Sequence, residues 1–156
     1  RMVPQGLLYI AAYLTQKKHD VIVYDCLGPG AATDLPRQAQ TILSYQPDIV
    51  GFSATTSSFP DAADLAEIIK GQSPNTITVC GGVHVSALEN KLLRDYPDFD
   101  FLIIGEGEIT MSELAAGIDP AEIKGLIWWH KTDVVVNEPR PKIQDLDFSH
   151  FSFLFS

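Results

Sequence analysis

Apolar side chains recur at helical spacing over residues 6–18 (GLLYIAAYLTQKK), with Leu7, Leu8, Ile10, Ala11 and Leu14 on one face. Lysines close the run, suiting the negative end of a helix dipole, so a helix is predicted there. The texture then switches. Val21-Ile22-Val23-Tyr24-Asp25 is short, β-branched and almost wholly apolar, which predicts a strand covered on both faces. Gly28-Pro29-Gly30 breaks the backbone before a second helix predicted over 35–45. The alternation continues with strands over 48–53, 76–80 and 99–104 and helices over 60–70, 86–94 and 109–116, Pro60 being suited to a first helical turn. Strand–helix alternation with crossovers of this length predicts an α/β domain: a doubly wound parallel sheet with helices on both faces.

After Gly125 the pattern changes again. Leu126-Ile127-Trp128-Trp129, a polar Lys131-Thr132-Asp133 tip and Val134-Val135-Val136 predict an antiparallel hairpin extending one sheet edge. The prolines and charges of EPRPKIQDLD read as a linker, and the aromatic tail over 148–153 has nothing of its own to pack against. The expected division is a Rossmann-like or flavodoxin-like domain over 1–137 and a linker over 138–156. Doubly wound sheets usually open on a strand, whereas this chain runs from Arg1-Met2-Val3-Pro4 straight into a helix, so a first strand is expected upstream.

Three strand ends carry small or polar residues: Gly51-Phe52-Ser53-Ala54-Thr55, Gly81-Gly82-Val83-His84 and Gly105-Glu106-Gly107-Glu108. In an open parallel sheet such ends share one rim, so the three motifs should converge on a single ligand crevice. Ser53, Thr55, Thr56, Ser57 and Ser58 could donate to phosphate or amide oxygens, or form an ordinary turn capping the next helix. Gly81-Gly82 lets backbone approach a large ligand, and paired glycines are also plain turn formers. His84 could contact a ligand, ligate a metal or cap a helix; contact from the ligand loop is the expectation. Glu106 and Glu108, beside glycines at a helix start, read as carboxylates satisfying backbone amides near a positive dipole end, with no nucleophile or base to make them an acid/base pair. Trp128 and Trp129 read as packing, and His19, His130 and His150 as surface.

Composition narrows the partners. A chain of 156 residues, 46% hydrophobic and 20% charged, suits one ordinary globular domain. With 11 basic and 20 acidic side chains the net charge is −9, which repels a phosphate backbone, so nucleic acid is not expected as a partner. No apolar run reaches membrane-spanning length and no basic-then-apolar leader opens the chain, so a cytoplasmic location is expected. Cys26 and Cys80 lie in apolar runs and read as buried structural thiols, far from any iron–sulfur or zinc spacing.

Taken in order, PQGLLYIAAYL, PDIVGFSATTSSFPDAADLAEIIK, VCGGVHVSALEN and IGEGE, closing in VNEPRPKIQDLD, make the chain resemble the cobalamin-binding domain at the N-terminus of many radical S-adenosylmethionine enzymes. The group related to the anaerobic magnesium-protoporphyrin IX monomethyl ester oxidative cyclase is the nearest in flavour. The resemblance spans nearly the whole chain and implies that cobalamin lies over the rim with its nucleotide tail inserted in the fold. On matching positions it implies that Ser53 and Thr55 contact the tail, with Ala54 and Thr56 among the cofactor-binding residues, that Gly81, Gly82 and His84 border its channel, and that Gly105, Glu106, Gly107 and Glu108 flank the far side. Pro4, Gln5, Gly6 and Leu7 would face the lower surface of the corrin.

Two departures matter. Other cobalamin domains carry Asp-x-His-x-x-Gly, whose histidine ligates cobalt; with Gly6 as the last position, Val3 fills the histidine slot and Arg1 the aspartate slot. The resemblance therefore implies a lower cobalt face with no protein nitrogen. The Cys-x-x-x-Cys-x-x-Cys motif of the radical domain is also lacking here. The 4Fe-4S cluster and S-adenosylmethionine are accordingly expected only in a downstream radical domain, and neither a catalytic residue nor a metal-ligating set is assigned within this chain. The domain would hold the corrinoid for methyl transfer or oxidative cyclisation by the full-length protein. A flavodoxin-like nucleotide-binding or regulatory module without catalysis is the alternative, and a nucleotide-sugar enzyme has no Gly-x-Gly-x-x-Gly fingerprint to support it.

Overall fold

The computed structural model describes residues 3–82 and 90–142. Helix α1 (Gln5–Gln16) opens it, followed by α2 (Leu35–Ser44), β1 (Ile49–Ser53), α3 (Phe59–Gln72) and β2 (Ile77–Gly81). Then come α4 (Asn90–Asp95), β3 (Phe101–Ile103), α5 (Glu108–Ala115), a 3-10 turn (Pro120–Glu122) and the hairpin β4 (Leu126–His130) and β5 (Asp133–Val136). The strands form one mixed sheet in the order β1-β2-β3-β4-β5. The first three are parallel and the hairpin continues the sheet antiparallel. Local chemistry sets the boundaries: Asp34 caps α2 by accepting from the Arg37 amide at 2.9 Å, and proline stands in the first turn of α2 and of α3.

Side-chain alternation along the strands builds two cores. Val79, Ile103 and Leu126 face α1 and α5, packing with Leu14, Met111 and Leu114. Their neighbours Cys80, Leu102 and Ile127 face the other way, toward Phe59, Ala63 and Ala66 of α3 and Leu92 and Leu93 of α4. Val50 joins Ala39, Leu65 and Ile69 where α2 and α3 meet. Helices therefore cover both faces, as the alternation predicts. At the end of the sheet where β2 and β3 begin, Lys70 donates to Pro74 O, Thr76 O and Asp100 Oδ2 at 3.1, 2.9 and 2.7 Å. That same Asp100 oxygen accepts from the Thr78 amide at 2.9 Å, which ties the start of β2 to β3.

Two expectations differ from the structure. Residues 21–25 take no strand pairing: Val21 packs on the α1–α5 side and Cys26 beside Val50, while Ile22 is 58% exposed. A strand needs a ladder neighbour, and among the described residues none lies beside this run. The helix expected over 86–94 is described only from Asn90, and His84 with the rest of 83–89 lies outside the described residues. The aromatic tail likewise lies outside them.

Candidate functional site

Parallel pairing brings the three motifs together. Ser53 ends β1 directly opposite Gly81, the end of β2. Leu102 stands opposite Cys80, so Ile103 is level with Gly81, and a Cβ built on Gly81 would lie 3.7 Å from Ile103 Cβ. The loops beyond are also joined: the Ala54 amide donates to Gly81 O at 3.0 Å. Gly82 follows at φ +122°, and a Cβ there would fall 2.3 Å from Ala54 O. Only a residue without a side chain lets these two loops meet.

Around that contact the hydroxyl loop forms a closed turn. Thr55 Oγ1 lies 3.1 Å from both Ser57 Oγ and Ser58 Oγ, and the Thr55 amide donates to Ser58 Oγ at 2.9 Å. Ser58 Oγ makes no cap bond to α3, so these hydroxyls serve the turn rather than the helix. Ser53, Thr55, Thr56 and Ser57 remain exposed while Ala54 is buried. On the far side, Gly105 turns the chain at φ +74° and Gly107 caps α5 without a side-chain bond. A Cβ on Gly107 would lie 3.1 Å from Ile10 Cδ1, which places the start of α5 against α1. Ile10 of α1 therefore packs at the start of α5; earlier in that helix and just before it, Pro4, Gln5 and Gly6 are exposed and Leu7 is half-buried. Pro4 O accepts from the Leu7 amide at 3.0 Å, and Gln5 Nε2 donates to Tyr9 Oη at 2.6 Å.

Glu108 is the chemical anomaly of the rim. It is 7% exposed, and among the described residues its Oε2 has no hydrogen-bond partner. Burial pushes its carboxyl above the usual range and the charge of Glu106 adds to this, against a lowering hydrogen bond from its own backbone amide. An acid whose folded pKa is raised binds its proton more tightly in the native state, so stability is lost as pH rises from the ordinary carboxylate range through that raised pKa. Glu108→Gln should remove this decline and be the more stable chain at neutral pH, measured by urea unfolding across pH 4–8. Parallel pH profiles for the two chains would contradict it.

Cys80, fully buried, has its thiol pushed up to about 12 by burial and is chemically quiet. Among the described residues no three His, Cys, Asp or Glu side chains gather as a metal site. No helix among them is long and apolar enough to cross a membrane. Trp128 packs in the core and donates to Asn137 Oδ1 at 3.0 Å. Sequence reasoning did not single out Arg140, whose guanidinium reaches Thr110 and Glu113 of α5; a lone arginine between prolines was the only signal.

An open α/β sheet whose loops meet over the ends of its parallel strands defines a cofactor-binding domain of Rossmann-like type. Residues 1–115 match the family described as B12 binding domain, and the chain belongs to that family. It is 38% identical over 150 residues to an uncharacterized methyltransferase of Pyrococcus horikoshii, covering 92% of this chain and 32% of that protein. It is 30% identical over 154 residues to the anaerobic magnesium-protoporphyrin IX monomethyl ester cyclase of a Synechocystis species, covering 94% and 30%. The chain thus spans about a third of the length of these relatives. Its fold matches the radical S-adenosylmethionine methyltransferase TsrM of Kitasatospora setae, solved with cobalamin and a 4Fe-4S cluster bound, at TM-score 0.76 and 18% identity, over 94% of this chain and 28% of that one.

The rim suits a large flat cofactor with amide and ribose groups at its edge. Gly82 lets the loops after β1 and β2 close to backbone contact at the rim, and Glu108 offers a buried carboxyl oxygen without a partner among the described residues.

Proposed function

We propose that this domain holds cobalamin across the rim for a longer radical S-adenosylmethionine enzyme. The supporting observation is the level meeting of Ser53, Gly81 and Ile103, closed by the Ala54–Gly81 bond and flanked by Glu108, one of whose carboxyl oxygens has no partner among the described residues. Ser53, Ala54, Thr55 and Thr56 take one side of the nucleotide tail, Gly81, Gly82 and His84 the channel, and Gly105, Glu106, Gly107 and Glu108 the other side. Pro4, Gln5, Gly6 and Leu7 underlie the corrin. When bound, the corrinoid supplies the cobalt chemistry of the whole protein's methyl transfer or oxidative cyclisation; these residues bind and orient it.

The 4Fe-4S cluster and S-adenosylmethionine belong, in this reading, to a radical domain following the 138–156 linker, in a cytoplasmic protein. The outer edge of β1, unpaired among the described residues, supports one further strand supplied by chain preceding Arg1.

Hydroxocobalamin mixed with the chain should co-elute as a coloured species near 17.1 kDa on gel filtration. Val3, half-buried beside a cavity of about 430 Å³ that Tyr24 and Asp25 also line, has no nitrogen to offer cobalt. The reduced, loaded domain should therefore show an electron spin resonance spectrum without nitrogen splitting from below. A colourless protein peak in excess cofactor would overturn the reading, and a histidine-type spectrum would overturn the account of the lower face.

A further inference from the structure

Arg140 stands between two prolines in a stretch that reads as linker, yet its side chain is only 15% exposed. Its Nη2 donates to Glu113 Oε2 at 2.6 Å and to Lys124 O at 3.4 Å, and its Nε to Thr110 Oγ1 at 3.2 Å. Thr110, fully buried, itself donates to Lys124 O at 2.9 Å. Both helix partners belong to α5, the element that begins with Glu108.

The backbone completes the connection. Ile104 N donates to Gly125 O at 2.9 Å and Gly125 N to Glu138 O at 2.8 Å, so hydrogen bonds run from the end of β3 to the residues after β5. Gly125 is wedged in place at φ +77°, where a Cβ would lie 3.2 Å from Ile104 O and 3.3 Å from Thr110 Oγ1. Because β4 descends from the rim and β5 returns to it, the chain leaves the sheet one rung from Gly105. The exit is therefore at the rim, and Arg140 bridges it to α5.

We infer that Arg140 is a positioning residue for the Gly105–Glu108 turn: it fixes α5 against the chain exit, so that the turn and residues 137–140 move as one body. For the cofactor this rests on the proposed reading above; for the coupling itself it does not. Losing the arginine leaves Thr110 its bond to Lys124 O and leaves Glu113, 33% exposed, open to water, so the global cost is modest while the first turn of α5 is freed.

Lys70–Asp100 provides a matched control, an ion pair of 2.7 Å with side chains 19% and 33% exposed, tying the far end of the sheet. Hydrogen exchange on the ligand-free chain is the test, with the Met111 amide, which donates to Gly107 O at 2.8 Å, as a reporter. Arg140→Ala should speed exchange over 105–113 and 137–140 by about tenfold and leave 76–81 within about twofold; Lys70→Ala should do the reverse. Glu113→Gln, which keeps an acceptor for the arginine, should fall between and decides the matter if Arg140→Ala does not fold. Equal acceleration of 105–113 in the Arg140 and Lys70 variants, or none in either Arg140→Ala or Glu113→Gln, would reduce Arg140 to a structural tie. Hydroxocobalamin affinity should also weaken at least about threefold in Arg140→Ala and not in Lys70→Ala. If the unaltered chain binds no corrinoid, the cofactor reading falls while the exchange result still judges the clamp.

Discussion

Replacing Gly82 with alanine is expected to destabilise the domain by about 2–4 kcal/mol and to abolish corrinoid binding. Two costs combine. A left-handed φ of +122° is strained for any L side chain, and the new methyl would meet Ala54 O at 2.3 Å, a backbone atom with no rotamer through which to escape. The loops must part, and with them goes the bond from the Ala54 amide to Gly81 O that holds two of the strand ends together. Gly105→Ala isolates the first cost: its φ is +74° but nothing lies within 4 Å of the added Cβ, so about 1 kcal/mol is expected. Gly51, with open space and no unusual φ, should accept alanine at little cost. Urea unfolding and hydroxocobalamin titration of the three variants test the ordering; a Gly82 variant as stable and as well bound as the Gly51 one would refute the role given to the Gly82–Ala54 contact.

The second large effect lies in the core. Phe99→Ala should cost about 3–5 kcal/mol, much of what a domain of this size has in total. Phe99 is fully buried between α3 and the sheet. Its ring stands edge-on to Phe52 at 5.7 Å and tilted to Phe59 at 5.8 Å, and Phe59 in turn meets Tyr96 at 4.9 Å. Deleting it forfeits the transfer energy, leaves a cavity and removes two aromatic contacts together. Because Phe52 and Phe59 flank the Ser53–Ser58 loop, the rim should loosen with the core. Phe99→Leu keeps most of the volume and should cost under about 1.5 kcal/mol. Thermal melting is the direct measure, with a drop on the order of 10 °C for alanine; near-identical melting of the alanine and leucine variants would argue against this account.

Much of this architecture is legible in the chain because its periods are local. The run from Leu7 to Leu14 declares a helix, and the change from Leu126 to Val136 declares the hairpin, without knowledge of any distant residue. The strand ends were legible for a similar reason: Gly81-Gly82 and Gly105 to Glu108 interrupt apolar runs at places where a parallel sheet has its edge. Residues 21–25 mark the limit. Their composition is that of a strand, but pairing depends on a neighbour, and composition says nothing about which neighbours are present. Glu108 shows the same limit in the site. Its position at a helix start suggests a dipole partner, whereas the burial of an oxygen left unpartnered among the described residues depends on tertiary packing that no local pattern encodes. Arg140 and Lys70 look alike on paper as isolated cations, and only the fold reveals that one serves the rim and the other the opposite end.

The outer side of β1 has a bearing on the molecule's solution behaviour. Among the described residues it faces no ladder partner, and the nearby 21–27 segment exposes Ile22, Val23 and Leu27 at 58, 37 and 68%. Free amides and carbonyls beside greasy side chains are a template on which a second molecule can add its own strand. Mutual repulsion at −9 charges opposes such stacking, and dissolved ions weaken that repulsion. Edge-to-edge oligomers are thus expected in concentrated, saline preparations only while that ladder is open, and the further strand proposed above would suppress them by occupying it.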